Sequence, residues 1–228
     1  MADHLPTIAV IGGTGNLGTG IAYRLARKGY PVIIGSRQAD KAVAAAQEAA
    51  ASAGRPVQGM QNAAAAAAAD IAILTVPFAH HRPTLESVRE AVQGKIFVDA
   101  TVPLVPPKVM RVQLPPEGVA AVQAQQLLGE NVRVVSAFQN VAAAHLQEGG
   151  HHAECDAECD VLVCGNDPEA RQAVVGLAEA MGLRAWHAGP IDNSAVAESL
   201  TSVLIFMNRF YKIKGAGMRI TGEPGSAG

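Results

Sequence analysis

Short apolar runs alternate with longer helical stretches along most of the chain. Thr7-Ile-Ala-Val-Ile11 is short, apolar and β-branched, which predicts a strand covered on both faces. Gly15 to Lys28 then sets Leu17, Ile21, Ala22, Leu25 and Ala26 at helical spacing, with Gly29 as the stop. Pro31 to Ile34 predicts the next strand, and Asp40 to Ala53 an alanine-rich helix. Val57 to Met60 reads as a short strand and Asn62 to Ala69 as a short helix. Asp70 to Val76 is a buried strand ended by Pro77; Thr84 to Val92 is helical and Lys95 to Asp99 a further strand. Val102 to Pro116 is proline-rich and irregular, Val119 to Leu128 helical, and Val132 to Ala137 a strand.

The last third is less regular. Ala142 to Glu148 predicts a short helix and Asp160 to Cys164 a strand. Pro168 to Met181 predicts a helix with Asp167 as its N-cap, and Arg184 to His187 a short strand. Asn193 or Ser194 opens a long helix to about Tyr211, and Gly215 to Gly228 is expected to fray. Repeated strand–helix alternation is the pattern of a parallel sheet with helices on both faces. The expected architecture is therefore α/β: a doubly wound, mostly parallel sheet over residues 1–130, with a smaller C-terminal α/β part, 131–228, ending in the long helix.

Composition narrows the function classes. With 228 residues, 49% hydrophobic and 17% charged, the chain is no disordered segment. Lys+Arg 18 against Asp+Glu 20 leaves −2, which argues against a nucleic-acid coat or a basic membrane binder. No apolar stretch is long enough to span a bilayer, and the first residues carry no secretory pattern. Three cysteines make no disulfide framework, so a reducing, cytoplasmic setting is expected.

The strongest chemical signal is Gly13-Thr14-Gly15-Asn16-Leu17-Gly18, a G-x-G-x-x-G that follows a buried strand and opens a helix. Gly13 permits a tight turn, Gly15 leaves room for a pyrophosphate against the backbone, and Gly18 lets helix and strand pack closely. Amides at the helix start then face the diphosphate. This is a Rossmann-type dinucleotide site. An NAD-preferring site usually carries an acid at the end of the second strand. Here that strand ends Ile34-Gly35-Ser36-Arg37. Arg37 offers a multi-donor cation, Ser36 a hydroxyl, and Lys41 a second charge one helical turn on, so NADP is predicted. Pro77 lies at the carboxyl edge of the sheet, with His80 and His81 nearby; such histidines are more often surface residues than ligands.

Several ordered motifs resemble the NADPH-dependent coenzyme F420 reductases. They are Ile11-Gly-Gly-Thr-Gly-Asn-Leu-Gly18, Gly35-Ser-Arg37, Leu74-Thr-Val-Pro77, Val135-Ser-Ala137, Val163-Cys-Gly165, Ala188-Gly-Pro190 and Glu198-Ser-Leu-Thr201. The resemblance runs to about Phe210. It implies an NADP domain joined to a smaller part, with the deazaflavin in the cleft between them, and a homodimer. By that resemblance Thr14, Gly15, Asn16 and Leu17 contact the diphosphate, within the loop from Gly13 to Gly18, and Ser36, Arg37 and Lys41 the 2′-phosphate. Val76, Val102 and Ala143 line the nicotinamide side, and Gln139 to Val141 face the deazaflavin; Pro77 is expected in the cleft from its turn at the strand end. Gln139 stands where members of that family carry histidine.

Hydride transfer between two such cofactors needs orientation more than side-chain chemistry, so no catalytic triad is expected and none is found. His151, His152, Cys155, Cys159 and Cys164 lack the usual C-x2-C spacing of a zinc site, and no metal is predicted. Val196, Leu200, Val203, Leu204, Met207 and Phe210 give the last helix an apolar stripe suited to core, dimer surface or both. The expected partner is a small-molecule redox cofactor, with neither nucleic acid nor membrane. An NADPH-dependent flavin or ferric reductase, and an NADP(H) sensor without turnover, stay open as alternatives.

Overall fold

The computed structural model describes residues 5–116, 118–147 and 159–222. Strand β1 (Ile8–Ile11) leads through the glycine loop to α1 (Asn16–Arg27), followed by β2 (Val32–Ser36), α2 (Ala39–Ala53), β3 (Val57–Gln61) and α3 (Asn62–Ala68). Then come β4 (Ile71–Leu74), α4 (His81–Val88), β5 (Ile96–Asp99), α5 (Ala120–Leu128) and β6 (Arg133–Ser136). The chain continues through β7 (Asp160–Gly165), α6 (Pro168–Ala180) and β8 (Arg184–His187) to α7 (Ser194–Tyr211).

One eight-stranded sheet runs β3-β2-β1-β4-β5-β6-β7-β8. The pairs from β3 to β6 are parallel, β7 is antiparallel to β6, and β8 is parallel to β7. The strand order reverses between β1 and β4, which opens a crevice at the carboxyl ends of those strands. Because side chains alternate across a strand, β1 feeds two cores. Ile8 and Val10 join Ile21 and Leu25 of α1 and Val174 and Leu177 of α6. Ala9 and Ile11 join Ala65 of α3, Leu85 and Val88 of α4, and Ala121 and Ala124 of α5. Burying each of the larger aliphatics contributes about 1.5–3 kcal/mol. Within the alanine run, Ala65, Ala66 and Ala69 are buried, so α3 packs on the sheet mainly through methyl groups, with buried Asn62 against Gly35 of β2.

The predicted elements are present, with differences at their ends. Helix α4 begins at His81, because Pro83 is tolerated in a first turn, and a separate 3-10 turn covers Glu90–Val92. The predicted helix from Ala142 is only a 3-10 turn, Ala143–His145; Glu148 lies outside the described residues. Asp167 caps α6 as expected, accepting from the Ala170 amide at 2.7 Å. The glycine-rich tail differs from the expected fraying as far as Gly222. The Asp160 amide donates to the Met218 carbonyl at 2.8 Å, and the Ile220 amide donates to Asp160 Oδ2 at 2.6 Å. The tail beyond Gly222 lies outside the described residues.

A buried arginine fastens the C-terminal portion to the nucleotide-loop helix. Arg24 of α1 is 8% exposed and donates to the carbonyls of His145 (2.6 Å), Met181 (3.1 Å) and Leu146 (3.3 Å). Gln147 reaches back to the Asn16 carbonyl and, at 3.2 Å, to the Thr19 hydroxyl, beside the loop itself.

Candidate functional site

The loop between β1 and α1 is shaped by three different glycine requirements. The left-handed residue is Gly12, at φ +68, where a Cβ would strike the Val76 side chain; the tight turn expected at Gly13 is made one residue earlier. Gly13 needs no positive φ, but a Cβ there would lie 2.6 Å from the Val10 carbonyl. At Gly18 a Cβ would lie 2.5 Å from Gly13 Cα and 2.7 Å from Thr75 Oγ1, so its absence lets α1 sit down on the loop. Gly15 is the contrast, with nothing within 4 Å of its would-be Cβ. That space is the floor of a cavity, not packing room.

Gly15 is the N-cap of α1 and supplies no capping side chain, and the first turn holds no acid. Helix starts leave their first amides unbonded, and the α1 dipole adds a partial positive charge there. An anion is the natural complement. Asn62, the first residue of α3, holds the loop in place: its Oδ1 accepts from the Gly12 amide at 3.1 Å.

The cavity above Gly15 has a volume of about 610 Å³. It runs from Gly12, Thr14 and Gly15 to Ser36, Arg37 and Lys41, with Val76 and Pro77 on the β4 side. Seven predicted residues thus meet there: Thr14, Gly15, Ser36, Arg37, Lys41, Val76 and Pro77. Arg37 and Lys41 are exposed, while Ser36 is 8% exposed and its Oγ accepts from the Gln38 amide at 3.3 Å. No carboxylate lines the cavity among the described residues.

The other predicted residues do not line it. Gly13 and Gly18 are buried beneath the loop, Asn16 is exposed, and Leu17 is half-buried. Val102 and Ala143 are half-buried, and Val141 is 7% exposed. Gln139 is 4% exposed and is held as an amide: its Nε2 donates to the Asp99 carbonyl and to Ser136 Oγ, each at 2.8 Å. Phe138, just before it, is 0% exposed and takes a left-handed φ of +74, a strained setting for a non-glycine residue.

Three buried ionisable side chains near this edge are functional candidates beyond the predicted set. His81 is not a surface histidine: it is 1% exposed, with Nε2 2.6 Å from Asp99 Oδ2, and Asp99 is wholly buried. Burial works to lower the His81 pKa, but the charge and hydrogen bond of Asp99 and the charge of Glu198 leave it raised. Glu198 of α7 is 1% exposed and accepts from the Ala120 and Ala121 amides at 2.8 and 3.2 Å, capping α5 from outside. Burial, helped by the charge of Asp99, pushes the Glu198 carboxyl up to about 7 against those two amides and His81. His80, by contrast, is exposed and lines the nucleotide cavity.

Of the histidines and cysteines between 151 and 164, His151, His152 and Cys155 lie outside the described residues. Cys159 is 3% exposed and Cys164 0%. Both are core thiols, and burial pushes Cys164 up to about 11. Among the described residues no group of His, Cys, Asp or Glu forms a metal-ligating cluster, and no helix is long and apolar enough to cross a membrane.

A parallel sheet with a switch point, a glycine loop under a helix start and two cations at the β2 end together define a dinucleotide-binding Rossmann-type oxidoreductase class. The NADP oxidoreductase, coenzyme F420-dependent, family matches residues 7–103. The F420-dependent NADP reductase of Methanocaldococcus jannaschii is 40% identical over 223 residues, covering 94% of this chain and 97% of that protein. The one from Methanothermobacter marburgensis is 41% identical, covering 95% of this chain and 99% of that protein. A crystal structure of a protein from Arthrobacter sp. FB24 superposes with a TM-score of 0.81 at 26% identity, over 95% of this chain and all of that one. The chain belongs to the F420-dependent NADP reductase family.

Proposed function

We propose that the protein transfers a hydride between NADP(H) and coenzyme F420. One observation carries the nucleotide half of this reading. A single cavity joins the α1 start to Arg37 and Lys41, with no acid at the end of β2 to repel a 2′-phosphate. The diphosphate rests over Gly15, where a Cβ would otherwise project, and takes the amides of Asn16 and Leu17. Ser36, Arg37 and Lys41 hold the 2′-phosphate, Arg37 as a fork of donors and Lys41 as a point charge. Val76, Pro77, Val102 and Ala143 flank the nicotinamide, and Gln139 to Val141 face the deazaflavin.

Both cofactors bring their own reactivity when bound: the hydride passes between C4 of the nicotinamide and C5 of the deazaflavin. The protein's task is to hold those carbons about 3–3.5 Å apart and to keep water out. The apolar side chains of Val76, Val102 and Val141 suit that exclusion. Residues 1–130 form the nucleotide half and 131–228 the half that closes over the second cofactor.

Helix α7 leaves Val196, Val203, Phe206 and Phe210 exposed along one stripe, at 60%, 45%, 48% and 66%. A second copy of the chain covers that stripe in a homodimer, and the protein works in the cytoplasm. The test of the nucleotide assignment is calorimetric titration with NADPH and NADH. Tighter NADPH binding by about 10-fold or more is expected from charge-assisted contacts; equal affinities would reject the 2′-phosphate site.

A further inference from the structure

The walls assigned to the nicotinamide come from separate loops, and one buried residue ties them together. Asp99 ends β5 and is wholly buried. Its Oδ2 meets His81 Nε2 of α4 at 2.6 Å, and its Oδ1 accepts from the Thr101 amide at 2.9 Å. Its backbone carbonyl accepts from Gln139 Nε2 at 2.8 Å and from the Ala137 amide at 3.2 Å. The Gln139 backbone carbonyl in turn accepts from the Thr201 hydroxyl of α7 at 2.8 Å. The segments after β4, β5 and β6 and helix α7 are therefore spaced by one network centred on Asp99.

The backbone ladder sets Leu74 of β4 beside Asp99, and the Ala100 amide donates to the Leu74 carbonyl at 3.1 Å; past Leu74, the His81–Asp99 bond is the side-chain link, among the bonds described, that joins this network to the segment after β4. That segment carries Val76 and Pro77. His81 Nδ1 is buried and has no partner among the described residues. Phe78 stacks on the ring with centroids 5.9 Å apart, which fixes its plane. The other charges around the pair are Glu198 from α7 and Arg82, the latter bonded outward to Glu86 at 3.9 Å.

We propose that His81 and Asp99 are positioning residues, whose buried hydrogen bond sets the spacing between Val76–Pro77 and Thr101–Val102, the two loops that receive the nicotinamide. The proposal rests on the hydride-transfer reading. It assigns no proton transfer to either group.

His81→Phe removes the donor, and His81→Gln restores one at the position of Nε2. Two readouts are needed: kcat with F420, and the fluorescence lifetime of NADPH bound to the protein without F420. His81→Phe is expected to lower kcat by about 10- to 100-fold, the range that a displacement of about 1 Å produces. It is expected to shorten the bound lifetime while NADPH affinity stays close to wild type. His81→Gln is expected to recover most of both. Unchanged kcat and lifetime in His81→Phe, or equal losses in the two variants, would overturn the proposal. Asp99→Asn, which keeps the volume, carries the same expectation should His81→Phe fail to fold. Wild-type protein that binds NADPH without reducing F420 would reject the hydride-transfer reading, and the lifetimes would still decide the positioning role.

Discussion

The motif assigns Gly15 to the ligand and Gly18 to packing, the structure gives them those opposite surroundings, and alanine at each position separates the two tasks. At Gly15 the backbone sits at φ −88, ψ 168, which alanine adopts without strain. No atom lies within 4 Å of the new methyl. The folding cost is then only the poorer N-cap, about 0.5–1 kcal/mol. In the complex that methyl occupies the place where the diphosphate meets the backbone. Displacing the anion from the first-turn amides forfeits charge-assisted hydrogen bonds worth about 1.5–3 kcal/mol each. Losing one or two of them weakens NADPH binding by about 10-fold or more. At Gly18 the methyl would stand 2.5 Å from Gly13 Cα and 2.9 Å from Gly13 C, both backbone atoms that cannot turn aside. Helix α1 must lift, at a stability cost of about 1–3 kcal/mol. Calorimetric NADPH titration and urea unfolding of both variants complete the assay. Gly15→Ala with wild-type affinity, or with a stability loss as large as that of Gly18→Ala, would refute the assignment of Gly15 to the ligand.

Other expectations follow from single contacts. Arg37→Ala should weaken NADPH binding by about 1.5–3 kcal/mol and leave NADH nearly unaffected; equal loss for both nucleotides would remove the 2′-phosphate from Arg37. Glu198, at about 7 when folded against 4.5 as its ordinary value, binds its proton more tightly folded than unfolded. Its contribution to stability is thus fully present below pH 4.5 and is lost as pH rises to about 7, by up to about 3 kcal/mol. His81, also raised, adds a loss of the same sign as pH climbs through its folded value. Glu198→Gln should flatten the fall between these limits in urea-unfolding curves taken at several pH values; an unaltered slope would place the titration elsewhere. Asp160→Ala strands the Trp186 indole, bonded at 2.9 Å, and frees the tail at Ile220. A loss of about 2 kcal/mol with a shift in tryptophan emission is expected, and unchanged stability and emission would contradict the bonds assigned to Asp160.

The parts of the fold set by local pattern were legible beforehand. Ile8 to Ile11 announced a strand between two cores because every position is apolar, and Pro168 after Asp167 announced a capped helix start. The loop-to-Arg37 arrangement was also legible, since the glycine loop follows directly on β1 and Arg37 directly on β2. What escaped depends on contacts distant in the chain. His80 and His81 are adjacent, and only the way α4 packs on β5 decides that one faces the cavity and the other Asp99. Glu198 finds its amide partners 78 and 77 residues away, so no spacing reveals it. The Gly12 turn was overlooked because its neighbour Gly13 fits the motif equally well, and only φ distinguishes them. The tail was expected to fray on composition, yet Gly217 is what permits close approach: a Cβ there would lie 2.8 Å from Cys159 Sγ.

Hydride transfer between NADP(H) and F420 is tested most directly by mixing the purified protein with NADPH and oxidised F420, FMN or FAD in parallel and following the loss of nicotinamide absorbance. Fast turnover with F420 and little with either flavin is the expected result. Turnover only with a flavin, or none with any acceptor while NADPH still binds tightly, would contradict it.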